Sequence, residues 1–378
     1  MMEWSNRTSR AVLVCVARTP GSELTSSSQE LVSLAKVLNI EVSSVLVQRR
    51  SGHAGPRFLG EGKLSELARK VQGQDPAERS ADCVLVDALL DPAQQRVLEQ
   101  ATELPVYDRT AVVLQVFARH ARTRQAQLQV ELARLQYQLP RLRDDSSKAG
   151  REGGGGRGER GHKNLVLEKQ RCRARIAEVR QELARAERNF SIQRERRDGI
   201  PEVALIGYTN VGKSSLLRAL TGSDVLIRDE PFATLGTTVR RLSRTGGRTI
   251  LVSDTVGFMQ GLPHELVAPF HATLEAARHA KLLLIVADAS SAICADQLRV
   301  TEETLVQIGA QEVPRTYVFN KMDRLSPAQR ESLQQIYPEA LYISAHSADD
   351  VERLRAHVQA SVIEPAESGL LAGAANAV

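Results

Sequence analysis

Residues 203–214 read Val203-Ala204-Leu205-Ile206-Gly207-Tyr208-Thr209-Asn210-Val211-Gly212-Lys213-Ser214. Four apolar residues predict a buried strand, the next eight fit the GxxxxGKS/T spacing, and a helical run over 215–220 follows at once. Phosphate binding needs that order. Glycines let the backbone curl so that successive amides face phosphate oxygens, and the helix N-terminus adds partial positive charge. In such a loop Lys213 reaches the β- and γ-phosphates and the Ser214 hydroxyl ligates Mg2+. Residues Gly207 through Ser215 are therefore the candidate phosphate site of a nucleoside triphosphatase. A fortuitous glycine turn is the bland alternative.

Three further segments, in the order such a fold requires, argue against that alternative. The strand-like run 250–252 precedes Asp254-Thr255-Val256-Gly257, a DxxG pattern. Asp254 is placed to hold Mg2+ through water, and the Gly257 amide to sense the γ-phosphate. Val318-Phe319 leads into Asn320-Lys321-Met322-Asp323, an NKxD pattern. A carboxylate at Asp323 accepts from the N1–H and 2-amino groups of guanine. Adenine offers neither donor, and a desolvated carboxylate left unpaired costs ~1–3 kcal/mol or more. Guanine is therefore the expected base, and GTP and GDP the expected ligands. Ser344, Ala345 and His346 close the site, with the Ser344-Ala345 backbone amides positioned for the base O6. A threonine must reach Mg2+ when the γ-phosphate is present. Pro231-Phe232-Ala233-Thr234-Leu235-Gly236-Thr237-Thr238 offers three, of which Thr234 lies 20 residues from both Ser214 and Asp254. Thr234 is the preferred ligand and Thr238 the second choice. Lys213, Thr234 and Gly257 are the candidate catalytic positions. Where many GTPases carry a water-orienting glutamine after DxxG, this chain has Phe258, which predicts slow intrinsic hydrolysis and a partner-supplied trigger.

Outward from this core, 378 residues suggest two or three domains. In residues 1–120, strand-like runs at 11–17, 42–48, 83–86 and 106–107 alternate with helical spacing at 28–38, 64–71 and 92–101. That alternation predicts a small parallel α/β domain. Residues 121–198 have a different texture. Leu128, Leu132, Leu135, Leu139 and Leu142 follow a heptad seam, and Cys172, Ile176, Val179, Leu183, Ala186 and Phe190 repeat it. Two seams predict an antiparallel helical hairpin, its first helix kinked or ended at Pro140. Between them, 144–163 with Gly153–Gly156 reads as a mobile loop. The α/β pattern resumes over 199–363 as a P-loop G domain, and 364–378 reads as a disordered tail.

Charge follows the same division. The chain carries net +5, yet residues 119–197 hold 21 Lys/Arg against 10 Asp/Glu. That concentration suits a polyanion, with a solvated helical face as the plainer reading. Aromatics at 4% are sparse for base stacking. The four cysteines are dispersed, which argues for reduced cytoplasmic thiols rather than disulfides or a structural metal. No apolar run approaches the ~20 residues that cross a bilayer, and 11–17 reads as a first strand rather than a signal core. His264-Glu265 with His271 lacks HExxH spacing.

Phe58-Leu59-Gly60-Glu61-Gly62-Lys63-Leu64, Asp108-Arg109-Thr110, Phe117-Ala118-Arg119-His120-Ala121 and Gln127–Ala133 with Leu139-Pro140-Arg141-Leu142 are distinctive tokens. Together with Gly207–Asn210, Phe232–Leu235 and Asp254–Phe258 they resemble the HflX family of GTPases, over nearly the whole chain to about residue 363. The resemblance implies a GTPase that binds the large ribosomal subunit and, in some members, splits ribosomes, with the hairpin facing ribosomal RNA. Recycling of ribosomes or their biogenesis are the corresponding roles, and a monomer in solution is expected. It also implies ATP use at the N-terminal domain, where Gly60-Glu61-Gly62-Lys63 opens a helix, although a tight turn is the commoner meaning of GxGK. Two segments depart from the family. Glu159–Val166 stands where it usually has Gly-Pro-Gly-Glu-Thr-Gln-Leu-Glu, and Gly236-Thr237 where it has Asp-Pro. Two rival functions remain at this point: an ATP-driven RNA-remodelling protein with a regulatory G domain, and a GTP-dependent RNA-binding module with little turnover.

Overall fold

The computed structural model describes residues 8–17, 26–49, 58–72, 80–142, 157–195, 199–222, 231–232, 238–242, 249–259 and 276–362. They divide into two compact units, one running through Phe190 and the other beginning at Ser191. The segment 364–378, expected to be disordered, lies outside the described residues, as does the loop core 144–156.

In the first unit, β1 (Ser9–Ala17), β2 (Ile40–Arg49), β3 (Cys83–Val86) and β4 (Val106–Asp108) form a four-stranded sheet in the order β2-β1-β3-β4. All its pairings are parallel. The connections are helical: α1 (Ser26–Val37), α2 (Glu61–Gln72) and α3 (Pro92–Thr102). Val12, Val14, Leu67, Val84, Val86 and Leu98 pack together in its core. Local chemistry sets the helix ends. Asp91 and Gln94 form a capping box ahead of Pro92, and Asp108 caps α4 (Arg109–His120) by accepting from the Ala111 amide at 2.8 Å. Because Asp108 both ends β4 and caps α4, no turn separates them, and the sequence pattern does not resolve α4 as a separate helix.

Two helices, α5 (Arg124–Gln138) and α6 (Arg157–Glu195), form the expected hairpin. Arg124 pairs with Glu182, Arg175 with Glu131, and the Cys172 thiol reaches the Leu135 carbonyl, so residue numbers rise on one helix as they fall on the other. The helices are antiparallel. Leu128, Leu132, Ile176, Val179 and Leu183 fill the seam, with Leu135, Leu139 and Cys172 beside them. Helix α5 stops at Gln138 and Pro140 sits in a single 3-10 turn, Leu139–Arg141. By the same pairing, residues of α6 before about Glu168 have no α5 residue opposite, and Val166 and Leu167 are exposed. One expectation changes: α6 begins at Arg157, so the last seven residues of the stretch read as a loop are helical.

At the base of the hairpin, Arg141 reaches into the α/β domain. Its guanidinium donates to the Leu90 carbonyl at 2.7 Å, to Asp108 at 3.2 Å and to Gln95 at 3.0 Å, and lies 3.6 Å over the Tyr137 ring. The Tyr137 hydroxyl donates to Asp108 at 2.9 Å. Burial pushes the Asp108 carboxyl up, against the pull of its Ala111 bond and of Arg141.

The second unit is a six-stranded sheet in the order β10-β9-β8-β5-β7-β6. Its strands are β5 (Glu202–Gly207), β6 (Thr238–Arg241), β7 (Leu251–Asp254), β8 (Leu282–Asp288), β9 (Arg315–Asn320) and β10 (Leu341–Tyr342). Only β6 runs antiparallel, in register with β7. Among the described residues its α-helices are α7 (Lys213–Thr221), α8 (Cys294–Gln307), α9 (Pro327–Ile336) and α10 (Ala348–Val362). Val203, Ala204, Leu205 and Ile206 are fully buried, as an unbroken apolar run in a central parallel strand requires. The carboxyl ends of β5, β7 and β9 deliver Gly207, Asp254 and Asn320 to the edge where open α/β sheets bind ligands. Among the described residues no helix is long and apolar enough to cross a membrane, and all four cysteines are free thiols.

Candidate functional site

The turn leaving β5 curls back over itself. The Phe258 amide donates to the Gly207 carbonyl at 3.0 Å, and the Thr209 amide to the Phe258 carbonyl at 2.9 Å. Tyr208 and Val211 are buried, Thr209 is half-buried and Asn210 is exposed at positive φ. Gly212 caps α7 at φ +96°, and a side chain there would collide with the Asn320 amide. Only glycine fits.

Lys213 is buried, and its ammonium donates to the carbonyls of Gly207 (3.1 Å) and Tyr208 (2.7 Å). Desolvation pushes its pKa down to about 8, opposed by the charge of Asp254. Ser214 donates its hydroxyl to Asp254 Oδ2 at 2.7 Å, and Ser215 is half-buried in the same first turn. A hydroxyl and a carboxylate meeting at the foot of α7 are the hard oxygen donors that Mg2+ takes beside phosphate and water. These residues fit that ion. Thr255 is fully buried and donates to the Leu205 carbonyl at 2.9 Å, while Val256 is buried beside it. A Cβ on Gly257 would stand 2.9 Å from the Lys213 ammonium and 2.9 Å from Thr209 Cα, so the DxxG glycine lies directly over the lysine. Phe258 is buried.

On the base side, one amide ties two loops. Asn320 donates to the Val211 carbonyl at 2.9 Å and accepts from the Ala345 amide at 3.0 Å. Lys321, at φ +62°, donates to the Asn210 carbonyl at 2.8 Å and pairs with Asp288 at 2.7 Å. Met322 is buried and its amide donates to the Ile343 carbonyl at 3.2 Å. The Asp323 carboxylate is exposed, and a hydrogen bond from Ser344 holds it below the usual carboxylate range. Ser344 is buried, Ala345 half-buried and His346 exposed, the last donating its amide to Ser344 Oγ at 3.3 Å.

In the first switch, Phe232 is buried at φ +60°, whereas Ala233, Thr234, Leu235, Gly236 and Thr237 lie outside the described residues. Thr238 opens β6 and pairs in register with Asp254. Two contacts went unforeseen. Asp288 and Asp350 belong to no motif, and their partners, Lys321 and the Ser344 amide, are set by the packing of β8 and α10.

A phosphate loop on a central parallel strand, with DxxG and NKxD segments at the neighbouring strand ends, defines a P-loop GTPase. Family comparison agrees along the chain. The family described as "GTP-binding GTPase N-terminal" matches residues 25–118, "GTP-binding GTPase Middle Region" 120–197, and "50S ribosome-binding GTPase" 202–321. A GTPase HflX of Gluconacetobacter diazotrophicus is 45% identical over 360 residues, covering 87% of this chain and 79% of its own. Its Escherichia coli counterpart is 35% identical over 350 residues, covering 91% and 81%. A GTP-binding protein of Sulfolobus solfataricus, solved with GDP, is 23% identical, covers 93% and 99%, and superposes with a TM-score of 0.46. The chain belongs to the HflX family of GTPases. It binds guanine nucleotide and hydrolyses GTP to GDP and phosphate.

Proposed function

We propose that this GTPase is Mg2+-dependent, cytoplasmic and monomeric, and that it docks its basic hairpin on ribosomal RNA of the large subunit. The observation that carries the reading is the antiparallel pair α5–α6, which places much of the net positive segment 119–197 on one helical element. The "50S ribosome-binding GTPase" match over 202–321 supports it. In this reading the loop from Gly207 to Ser215 cradles the phosphates, Lys213 neutralises the β- and γ-oxygens, and Ser214 and Asp254 hold Mg2+, which would polarise the transferred phosphoryl group. Gly257 senses the γ-phosphate, and Thr234 completes the switch, with Thr238 as the alternative. Asp323 reads the guanine edge, and Ser344-Ala345 face O6. The buried Phe258 side chain can neither donate nor accept a hydrogen bond, so unaided turnover is slow and the water-orienting group comes from elsewhere. That favours a partner-triggered switch acting in ribosome splitting, recycling or biogenesis. Lys63 pairs with Glu66 at 2.8 Å on its own helix, and this reading assigns no ATP site to the N-terminal turn.

Sedimentation with separated ribosomal subunits tests it. The chain should travel with large subunits in a non-hydrolysable GTP analogue with Mg2+, and much less in GDP or EDTA. Equal partition in all states, or preference for the small subunit, would refute the reading. Multiple-turnover GTPase assays should show stimulation by large subunits. Absence of both stimulation and turnover would leave a GTP-dependent binding module.

A further inference from the structure

The loop that closes the base side is held by a carboxylate that none of the nucleotide motifs contains. We propose that Asp350 is a positioning residue of the guanine site, fixing the Ser344 amide and, through Ser344, the base-reading Asp323. The inference rests on the reading that Asp323 recognises the base.

Ser344 is a buried junction, bonded through its amide, its side chain and its carbonyl. Its amide donates to Asp350 Oδ2 at 2.8 Å, its side chain hydrogen-bonds the Asp323 carboxylate, and its Oγ accepts from the His346 amide at 3.3 Å. Asp350 is oriented from the other side by Arg353, whose guanidinium bonds Oδ1 and also reaches the Tyr342 carbonyl at 3.3 Å. The carboxylate is not used to cap α10. Ser347 does that, accepting the Asp350 amide at 3.3 Å, and the Asp350 side chain instead reaches back six residues. The next amide along, that of Ala345, is held by Asn320. Both amides of the Ser344-Ala345 step are thus fixed by side chains, one from the NKxD segment and one from α10. A charge-assisted bond to a buried amide is about twice as strong as a neutral one. Without it Ser344 can turn, and the hydroxyl that fixes Asp323 turns with it.

Inosine diphosphate lacks the 2-amino group, so the ratio of GDP to IDP affinity reports how well Asp323 is aimed. In fluorescent-nucleotide titrations of the full chain, Asp350→Ala should weaken GDP by about tenfold and IDP less, lowering the ratio. Asp350→Asn keeps a carbonyl acceptor for the Ser344 amide and should stay within about twofold of wild type. Arg353→Ala, at an exposed position, should lower the ratio by about twofold and gives a second reading should Asp350→Ala not fold. An unchanged ratio in both Asp350→Ala and Arg353→Ala, whatever the melting temperature, would overturn the proposal and leave Asp350 a helix-end residue. Asp323→Asn, measured alongside, separates the two failures. If it collapses the ratio while the others do not, only Asp350 is misassigned; if it leaves the ratio intact, the base-reading assignment falls as well.

Discussion

In the proposed reading a single carboxylate, Asp323, sets the base. Asp323→Asn exchanges an acceptor for a donor, so guanine affinity should fall roughly tenfold to a hundredfold while xanthine nucleotides, whose 2-oxo group needs a donor, gain. Competition titration measures this, and an unchanged order of preference would refute it. The pH dependence has a definite sign. Ser344 holds the Asp323 carboxyl below 3.8, so its charged form is present above that value and lost only as pH falls through the depressed one. Guanine preference should therefore be flat from about pH 5 to 8, and a midpoint inside that range would show that Asp323 is not the reader. The motif residues were legible because their chemistry depends on neighbours a few positions away. Asp288 and Asp350 were not, since each acts on a residue brought near by the sheet or by α10. The first switch offers three threonines within five positions, and because all carry the same hydroxyl, side-chain chemistry does not separate them.

Among the elements, the hairpin was legible because its heptad repeats on both helices. The start of α6 was not. Gly158 and Gly161 each weaken a helix by about 1 kcal/mol relative to Ala, so composition argues for a loop where the chain forms a helix from Arg157. Arg141 ties this element to the α/β domain, and its removal leaves the buried Asp108 without its cation. Arg141→Ala should cost about 2–4 kcal/mol in urea unfolding, and Arg141→Lys should recover little of it because an ammonium lacks the planar fork. Asp108 has a raised folded pKa, so its ionisation destabilises the fold as pH climbs through that value. The deficit of Arg141→Ala should therefore grow from acid towards neutral pH. A deficit that is constant, or largest in acid, would mean that lost packing rather than charge dominates.

For the whole molecule, the question is whether charge is footprint or mere solvation. Arg171, Arg173 and Arg180 are exposed on α6. If they face phosphates, replacing all three with Ala should flatten the log–log salt dependence of large-subunit binding by roughly one unit per lost contact. Unchanged slope and affinity would mark a solvated face. Composition made the charge asymmetry visible at once, whereas its surface needed the fold, because Arg175 from the same basic run is spent on Glu131.

Helix α6 also outruns its partner. Pro140 ends α5, and Asn164, Val166 and Leu167 of α6, beyond that end, are exposed. A solitary run of about ten helical residues is marginal in water. Amide hydrogens there should exchange with deuterium orders of magnitude faster than those around Val179, giving the hairpin a gradient of protection along its length. Contact at that end would then quench exchange before it altered any distance in the seam. The chain can thus register a partner as a loss of local fraying, with the backbone trace elsewhere unmoved.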